Sequence, residues 1–383
     1  MLSLSGFRIV DLTQVYSGPY ATFLLAEAGA EVIKVEPPEG ERLRRGTGTA
    51  ALPFAMFNAG KQSVTIDLGT EDGKDRLATL LKRADAIVEN FRPGVLAKLG
   101  FDDARLAAIN SRLIRASLSG FGSEGPYRDY PALDIVIQAM SGVLATTGFT
   151  DGPPVKAGAA LADILGGAHL YGAVLTALLH RERHGEVRHV ETSMIEATYP
   201  TLASSLPVAL TEADAPNLRT GNRHGAGRVS PYNLYPAIDG HVAIICTTDR
   251  HWQRLVELLA IDLGADSSLN DTPARLARID EIDAAVASAT SKLTRVEIFD
   301  RLAAGGVPCG AVQDLREVVN DPHLLATGAL FTLDHPEHGP MTLNRGAIRF
   351  RSLDRAPYRP SEALGSANAR YFSTSMPDAK AQA

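Results

Sequence analysis

Residues 7–36 read FRIVDLTQVYSGPYATFLLAEAGAEVIKVE, and this stretch decides the fold. Residues 7–12 (FRIVDL) are a short apolar run of strand character, and residues 20–28 follow with helical character until Gly29 stops them. Residues 31–36 (EVIKVE) read as the next strand, so the whole is a βαβ unit. Working outward, residues 63–68 (SVTIDL) form another strand. A helix over 70–83 opens with acidic and closes with basic residues, as the helix macrodipole prefers. Residues 85–90 (DAIVEN) and 113–119 (LIRASLS) are strands, with helical stretches at 95–99 and 104–109 between them. Such alternation predicts an α/β fold built on an open, mostly parallel, Rossmann-like sheet with helices on both faces.

The second half differs. An apolar helix is followed by a basic turn at 181–188 and a further helix over 193–210. Residues 211–230 are polar and rich in Gly, Arg and His, and read as a linker or mobile loop. A smaller α+β segment comes next, with a strand at 241–246 behind the turn Asp239-Gly240 and helices at 250–259, 275–290 and 295–305. The tail from residue 322 returns to short strands such as 341–343 and ends in a polar segment expected to be disordered. The expected organisation is a large domain over 1–210, a linker over 211–230 and a small α+β domain over 231–325. Residues 326–383 then return to the large domain.

The 383 residues provide enough chain for two domains, and 45% hydrophobic with 21% charged residues is ordinary globular composition. A net charge of −6 argues against a nucleic-acid partner. The two cysteines, Cys246 and Cys309, lie far apart without metal-ligand spacing and read as core residues in a reducing compartment. The N-terminus MLSLSGFRIVDLTQ has no basic region of the kind that opens a signal peptide. Residues 157–179 (AGAALADILGGAHLYGAVLTALL) are long and apolar enough to suggest a membrane span. Asp163 would cost about 2.5–3.5 kcal/mol near a bilayer centre, and no second span accompanies it. A buried helix in a soluble, cytoplasmic protein is the expected outcome.

Only Asp163 and His169 in that apolar stretch change charge near neutral pH. An unpaired buried carboxylate costs several kcal/mol, which suggests that the residue is used. The plain alternative is a carboxylate that caps its own helix, worth about 1 kcal/mol. Other motifs weaken on inspection. Residues 120–125 (GFGSEG) match a dinucleotide fingerprint after a strand, but the following PYRDYP offers no helix N-terminus to a pyrophosphate. His180 and His184 stand at metal-competent spacing among Arg181, Glu182 and Arg183, where a solvated helix end is the better reading. His335 and His338 lie in a Pro/Gly-rich turn, and no metal site is expected. Asn90-Phe91-Arg92-Pro93-Gly94 falls at a strand's C-terminal end, where ligands bind in such sheets, against the alternative of a tight turn with an exposed Arg. With Asn58, Lys61 and the cluster Arg42, Arg44, Arg45, it suggests a polyphosphate-bearing ligand.

Several runs, in order, resemble the class III (CaiB/BaiF-type) CoA-transferases, the family that includes formyl-CoA transferase and carnitine CoA-transferase. They are LSGFRIVDLTQVYSGPYATFLLAEAGAEVIKVEPPEGERLRR, KQSVTIDL, VENFRPGVLAKLGF, SLSGFGSEGPY and TTGFTDGPPVKAGAALADILGGAHLYGAVLTALLHRERHG, resuming at SPYNLYPAIDGHVAI. The resemblance implies an enzyme that moves CoA from an acyl-CoA donor, succinyl-CoA favoured, to a carboxylic and preferably dicarboxylic acid. CoA thioester would be substrate, and no cofactor would be permanently bound. Asp163 falls on the family's nucleophile, acting through aspartyl anhydride and aspartyl-CoA thioester intermediates. Gln14 would supply an amide to the developing oxyanion. CoA contacts carry over to Gln14 and Val15, Asn58 through Lys61, Asn90, Phe91, Arg92, Lys98, and Ala132, Leu133 and Asp134. The chain has Pro37 where some members carry an Arg that contacts the nucleotide, and Arg42 or Arg45 would substitute. A loop at Arg223, His224, Gly225, Gly227 and Arg228 would close on substrate, its arginines clamping a far carboxylate. The helix dipole would hold Asp163 ionised, and Gly166 and Gly167 would leave room for the acyl and pantetheine groups. The family also implies an interlocked homodimer.

Two further readings stand beside this one. A racemase or an intramolecular acyl-CoA isomerase would work without an acceptor acid, but the α-methylacyl-CoA racemases of the same family use a His where this chain has Leu133, and racemisation needs two acid/base groups. A non-catalytic CoA-binding subunit would not need Asp163.

Overall fold

A computed structural model describes residues 2–211, 218–352 and 357–372. The expected disordered end (373–383) and part of the expected linker (212–217) lie outside these residues. The chain forms two compact units. The larger comprises residues 1–141, 158–200 and 321–383, and the smaller comprises 142–157 and 201–320.

The larger unit is built on six strands: β1 (Arg8–Asp11), β2 (Glu31–Glu36), β3 (Gln62–Thr65), β4 (Ala86–Glu89), β5 (Ile114–Ser119) and β6 (His189–Ser193). They pair side by side in the order β3-β2-β1-β4-β5-β6, all parallel. In register, Ile9 lies between Val32 and Ala86. The side-chain period of two sends β1 and β4 residues alternately to the two faces, and both faces are buried. Ile9, Ala86 and Val88 pack against Leu170, Val174 and Leu178 of the long helix Leu161–His184. Val10 and Ile87 face Leu77 and Leu81 of the helix Glu71–Leu81, with Phe101 and Leu106. Burying a large aliphatic side chain contributes about 1.5–3 kcal/mol, so these two layers hold the sheet. The chain winds outward from β1 in one direction and from β4 in the other, which makes the gap between the ends of β1 and β4 a topological switch point.

Strand β6 was not expected, because 181–188 read as a turn leading to a helix. It is an edge strand with one apolar residue in its interior, Val190, and alternating exposure, so no apolar run marks it. The expected helix over 193–210 is also broken. Residues Met194–Thr198 are α-helical, Tyr199–Leu202 form one 3₁₀ turn, and Leu206–Thr211 are helical again. Pro200 and Pro207 lack the amide that a continuous helix requires.

The long helix runs without a break from Leu161 to Gly185, its C-cap. By length and composition alone it could cross a membrane. Its buried stripe, Ala162, Gly166, Gly167, Leu170, Val174, Ala177, Leu178 and Arg181, lies in the core. Gly167 is required by close approach: a Cβ there would stand 2.3 Å from the Ser17 carbonyl oxygen on the helix Ser17–Glu27. A Cβ at Gly166 would sit 3.1 Å from Met194 Cγ. The glycine pair is therefore filled by helix packing and leaves no room for a ligand, contrary to expectation.

In the smaller unit β7 (Tyr232–Ala237), β8 (Gly240–Ile245) and β9 (Cys309–Ala311) form an antiparallel sheet. Trp252 and Leu255 of the helix Asp249–Leu259, Ile282 and Val286 of Ile279–Thr290, and Ile298 and Leu302 of Arg295–Ala304 pack on it. The helix expected over 275–290 is interrupted at Arg278, between Thr272–Ala277 and Ile279–Thr290. The tail of the larger unit adds the hairpin β10 (Leu330–His335) and β11 (Gly339–Asn344).

Candidate active site

At the switch point a cleft of about 200 Å³ opens at the C-terminal ends of β1, β4 and β5. Its walls include Gln14, Val15 and Ser17 after β1, Asn90, Phe91 and Arg92 after β4, and Leu118, Ser119 and Gly120 at β5. Arg128, Tyr130, Ala132 and Leu133 come from the connection that follows, and Asp163 and Met194 complete it.

Asp163 is the third residue of the long helix, and its backbone amide is already engaged. Asp134 Oδ1 accepts from the amides of Ala162 (2.8 Å) and Asp163 (3.2 Å), while Gln138 Nε2 donates to Asp134 Oδ2 at 2.6 Å. The carboxylate that caps this helix is thus Asp134, arriving from a distant part of the chain. Asp163 is left with a partly buried carboxyl, the Ser17 hydroxyl as hydrogen-bond partner, and no ion pair among the described residues. Burial first, and then the like charge of Asp134, push its carboxyl up to about 6, with the Ser17 bond opposing them. The helix dipole does not offset the burial of Asp163 as expected: its carboxyl is pushed up, and the first amides of the helix serve Asp134 instead.

The turn after β1 is held by one side chain. Asn90 Oδ1 accepts from the Gln14 amide at 2.8 Å, Asn90 Nδ2 donates to the Gln14 carbonyl at 2.9 Å, and Nδ2 also lies 3.4 Å from Ser17 Oγ. The Asn90 amide therefore fixes the switch point, and its link through Ser17 reaches Asp163. Val15, beside Gln14, adopts φ 69°, a region that β-branched residues rarely enter.

The remaining expected residues divide. Phe91 and Arg92 line the cleft, as do Ala132 and the exposed Leu133. Asn58 and Lys61 do not reach it with their side chains, because both are buried in a polar cluster. Lys61 Nζ donates to Asp11 Oδ2 (3.0 Å), Thr22 Oγ1 (2.7 Å) and Asn58 Oδ1 (2.8 Å). Lys98 lies on the exposed short helix Val95–Lys98, outside the cleft lining. Arg44 is tied to Glu36, at 2.7 Å through each of Nε and Nη2, whereas Arg42 and Arg45 are exposed. Arg223, His224, Gly225, Gly227 and Arg228 belong to the smaller unit. There Asp283 takes Arg223 Nε at 2.8 Å and Asp280 takes Nη2 at 2.6 Å. The Arg223 guanidinium is accordingly committed to two carboxylates rather than offered as a clamp, and Arg228 is exposed. Residues 120–125 meet no helix until Asp134, so the dinucleotide fingerprint has no structural counterpart.

The sequence reading missed Ser17, Ser119, Arg128, Tyr130 and Met194. Ser17 carried the clearest signal, standing at the start of a helix directly after the first strand. Tyr130 is held by Phe121 and Tyr127, with ring centroids 6.3 and 5.2 Å away.

Fold and cleft together define a doubly wound α/β protein with a carboxylate, disfavoured as an anion, at its switch point. The description CoA-transferase family III matches residues 4–368. The chain is 37% identical over 331 residues to the acetyl-CoA:oxalate CoA-transferase of Acetobacter aceti, covering 85% of this chain and 84% of that one. It is 33% identical over 381 residues to the succinate–glutarate CoA-transferase of Agrobacterium fabrum, covering 94% and 93%. A crystal structure of a CaiB/BaiF family protein from Brucella suis matches with a TM-score of 0.84 at 33% identity, covering 96% of this chain and 98% of that one. The chain belongs to CoA-transferase family III and is an enzyme of that class.

Proposed function

We propose that this enzyme moves CoA from an acyl-CoA donor to a dicarboxylic acid by covalent catalysis at Asp163. The observation that carries the reading is Asp163 itself, a partly buried carboxyl pushed up to about 6 in a cleft at the switch point. The Asp163 carboxylate attacks the donor thioester, forming an aspartyl–acyl anhydride and expelling CoA thiolate. The thiolate attacks the aspartyl carbonyl, giving an aspartyl-CoA thioester and releasing the donor acid. The acceptor carboxylate then attacks that thioester, and returning thiolate takes the new acyl group and frees Asp163. No net proton is gained or lost.

Gln14 lines the cleft, and its side-chain amide would donate to the oxyanion, a contribution of about 3 kcal/mol for one such donor. The apolar surfaces of Phe91, Leu118, Leu133 and Met194 would limit hydrolysis of the anhydride. Arg92 with Val15 and Phe91 would receive CoA. The relatives named for oxalate, succinate and glutarate support a dicarboxylic acid as co-substrate, and succinyl-CoA is the donor to try first. Leu133 at the cleft provides no second acid/base group, which places racemisation below transfer.

A homodimer is part of the same reading. It is supported by apolar side chains left exposed on the larger unit, among them Leu179, Ile135, Met140 and Tyr199. A cytoplasmic enzyme fits two unpaired cysteines, Cys246 and Cys309.

The deciding experiment is a mass-spectrometric screen of acyl-CoA donors against a panel of acids, with Asp163→Ala as control. The expected results are a CoA adduct on the peptide containing Asp163 and loss of transfer in the variant. Full activity of Asp163→Ala would sink the mechanism, and product formation without an acceptor acid would favour isomerisation.

A further inference from the structure

Two lysines are buried beneath the cleft, Lys34 in β2 and Lys61 just before β3. Burying an ammonium costs several kcal/mol, and breaking a buried pair costs about as much again. Lys61 Nζ donates to Asp11, Thr22 and Asn58, as described above, and to the Pro19 carbonyl at 3.0 Å within the helix Ser17–Glu27. Lys34 is different, because one of its bonds goes to main chain at the lip of the cleft. Its Nζ donates to Glu41 Oε2 at 3.0 Å and to the Thr13 carbonyl oxygen at 2.7 Å.

That carbonyl belongs to the Thr13–Gln14 peptide bond. The same peptide's N–H, on Gln14, is held by Asn90 Oδ1 at 2.8 Å. The preceding amide and hydroxyl of Thr13 both donate to Asp11 Oδ1, at 2.8 and 2.6 Å. Directly after this doubly held peptide comes Val15 at φ 69°. A β-branched residue is strained there, and such a conformation persists only where its surroundings over-determine it. Packing alone does not call for an ammonium at position 34. A neutral side chain of similar length would fill the space without the desolvation cost. What a neutral side chain lacks is the ion pair with buried Glu41 and the donor to the Thr13 carbonyl, and of the two only the second reaches the cleft.

We propose that Lys34 is a positioning residue for the cleft. Its ammonium clamps the Thr13–Gln14 peptide, holds the left-handed turn at Val15, and so presents Gln14 and Ser17 toward Asp163. The kinetic arm of the test rests on the transfer reading given above, and the structural arm does not.

The test compares wild type, Lys34→Met, Val15→Gly and Lys34→Met/Val15→Gly. Hydrogen–deuterium exchange is read on peptides covering residues 12–18, and steady-state kinetics on folded protein. Lys34→Met is expected to exchange at least about tenfold faster over 12–18, with β4 and β5 unchanged. Its kcat should fall by about tenfold or more while KM for acyl-CoA stays within about twofold. Glycine enters the left-handed region without strain, so Lys34→Met made in a Val15→Gly background, with Val15→Gly alone as its reference, should lower kcat far less than it does in wild type. Unchanged exchange over 12–18, a rise in KM with kcat intact, or an equal fall of kcat in the Val15→Gly background would each overturn the proposal. Lys34→Met strands the buried Glu41 carboxylate, so a second variant covers the case where Lys34→Met does not accumulate folded. In that case Lys34→Met is combined with Glu41→Gln, which removes the charge left without a partner while still deleting the donor to Thr13, and the same outcomes apply. If wild type transfers no CoA at all, the functional reading fails, and the exchange data alone decide the role of Lys34.

Discussion

Replacing Asp163 by asparagine should make the protein more stable as well as inactive. The folded state places this carboxyl where its neutral form is favoured, up to about 6 against 3.8 for an unperturbed aspartate. A tenfold change in proton affinity corresponds to about 1.4 kcal/mol, so the roughly hundredfold change at Asp163 sets a ceiling of about 3 kcal/mol. Asp163 is only partly buried, and solvent screening reduces the expectation to about 1–2 kcal/mol. The sign follows from linkage. With the folded pKa above the unfolded one, the unfolded chain loses its proton first as pH rises, and stability falls between about pH 4 and pH 6. Asparagine has no such proton to lose, and its side-chain oxygen still accepts from Ser17. Denaturant unfolding of both proteins at pH 4.5 and pH 8 is the assay. The variant should gain about 1–2 kcal/mol over wild type at pH 8 relative to their difference at pH 4.5. A pH-independent difference, or one of opposite sign, would refute the claim that burial disfavours this anion.

Other outcomes follow from the same geometry. Transfer by the wild type should rise with pH through an acid limb near 6, where Asp163 ionises, and kcat/KM profiles check this. Asp134→Asn keeps a capping oxygen but removes the like charge, so that limb should move to lower pH with little change in stability. Asp134→Ala should also lose about 1 kcal/mol of stability, measured by thermal or denaturant unfolding. Gly167→Ala forces a Cβ to within 2.3 Å of the Ser17 carbonyl, and should destabilise by about 1–3 kcal/mol and lower kcat through displacement of Ser17.

The central strands were legible because burial on both faces leaves continuous apolar runs, as in FRIVDL and DAIVEN. Edge strand β6 was not, since HVETS needs an apolar residue on one face at most. Asp163 could be found because it stands alone among apolar neighbours. Its true environment could not, because the capping carboxylate Asp134 comes from an element separated by a long connection. Strand β2 was legible as a strand, but the burial of its charges was not. In EVIKVE Lys34 and Glu36 are buried, and their partners Glu41 and Arg44 lie in the segment that follows. The smaller unit repeats the lesson at Arg223, whose charge suggested a substrate clamp until Asp280 and Asp283 proved to hold it. Local pattern reports burial and period, while the pairing of charges across long separations depends on tertiary approach.

The capping of the long helix by Asp134 has a chemical consequence in the proposed cycle. A mixed anhydride breaks preferentially by expelling the carboxylate that is more stable as an anion. The donor acid leaves with an ordinary carboxylate affinity near about 4, whereas Asp163 must leave into a site that pushes its carboxyl up to about 6. Thiolate attack is therefore biased toward the aspartyl carbonyl, which captures CoA on the enzyme and expels the donor acid. The same bias makes release of the new acyl-CoA the harder half of the cycle. In turnover with scarce acceptor, CoA should accumulate as the aspartyl thioester, so burial of Asp163, reinforced by the displaced cap beside it, sets where the thioester waits.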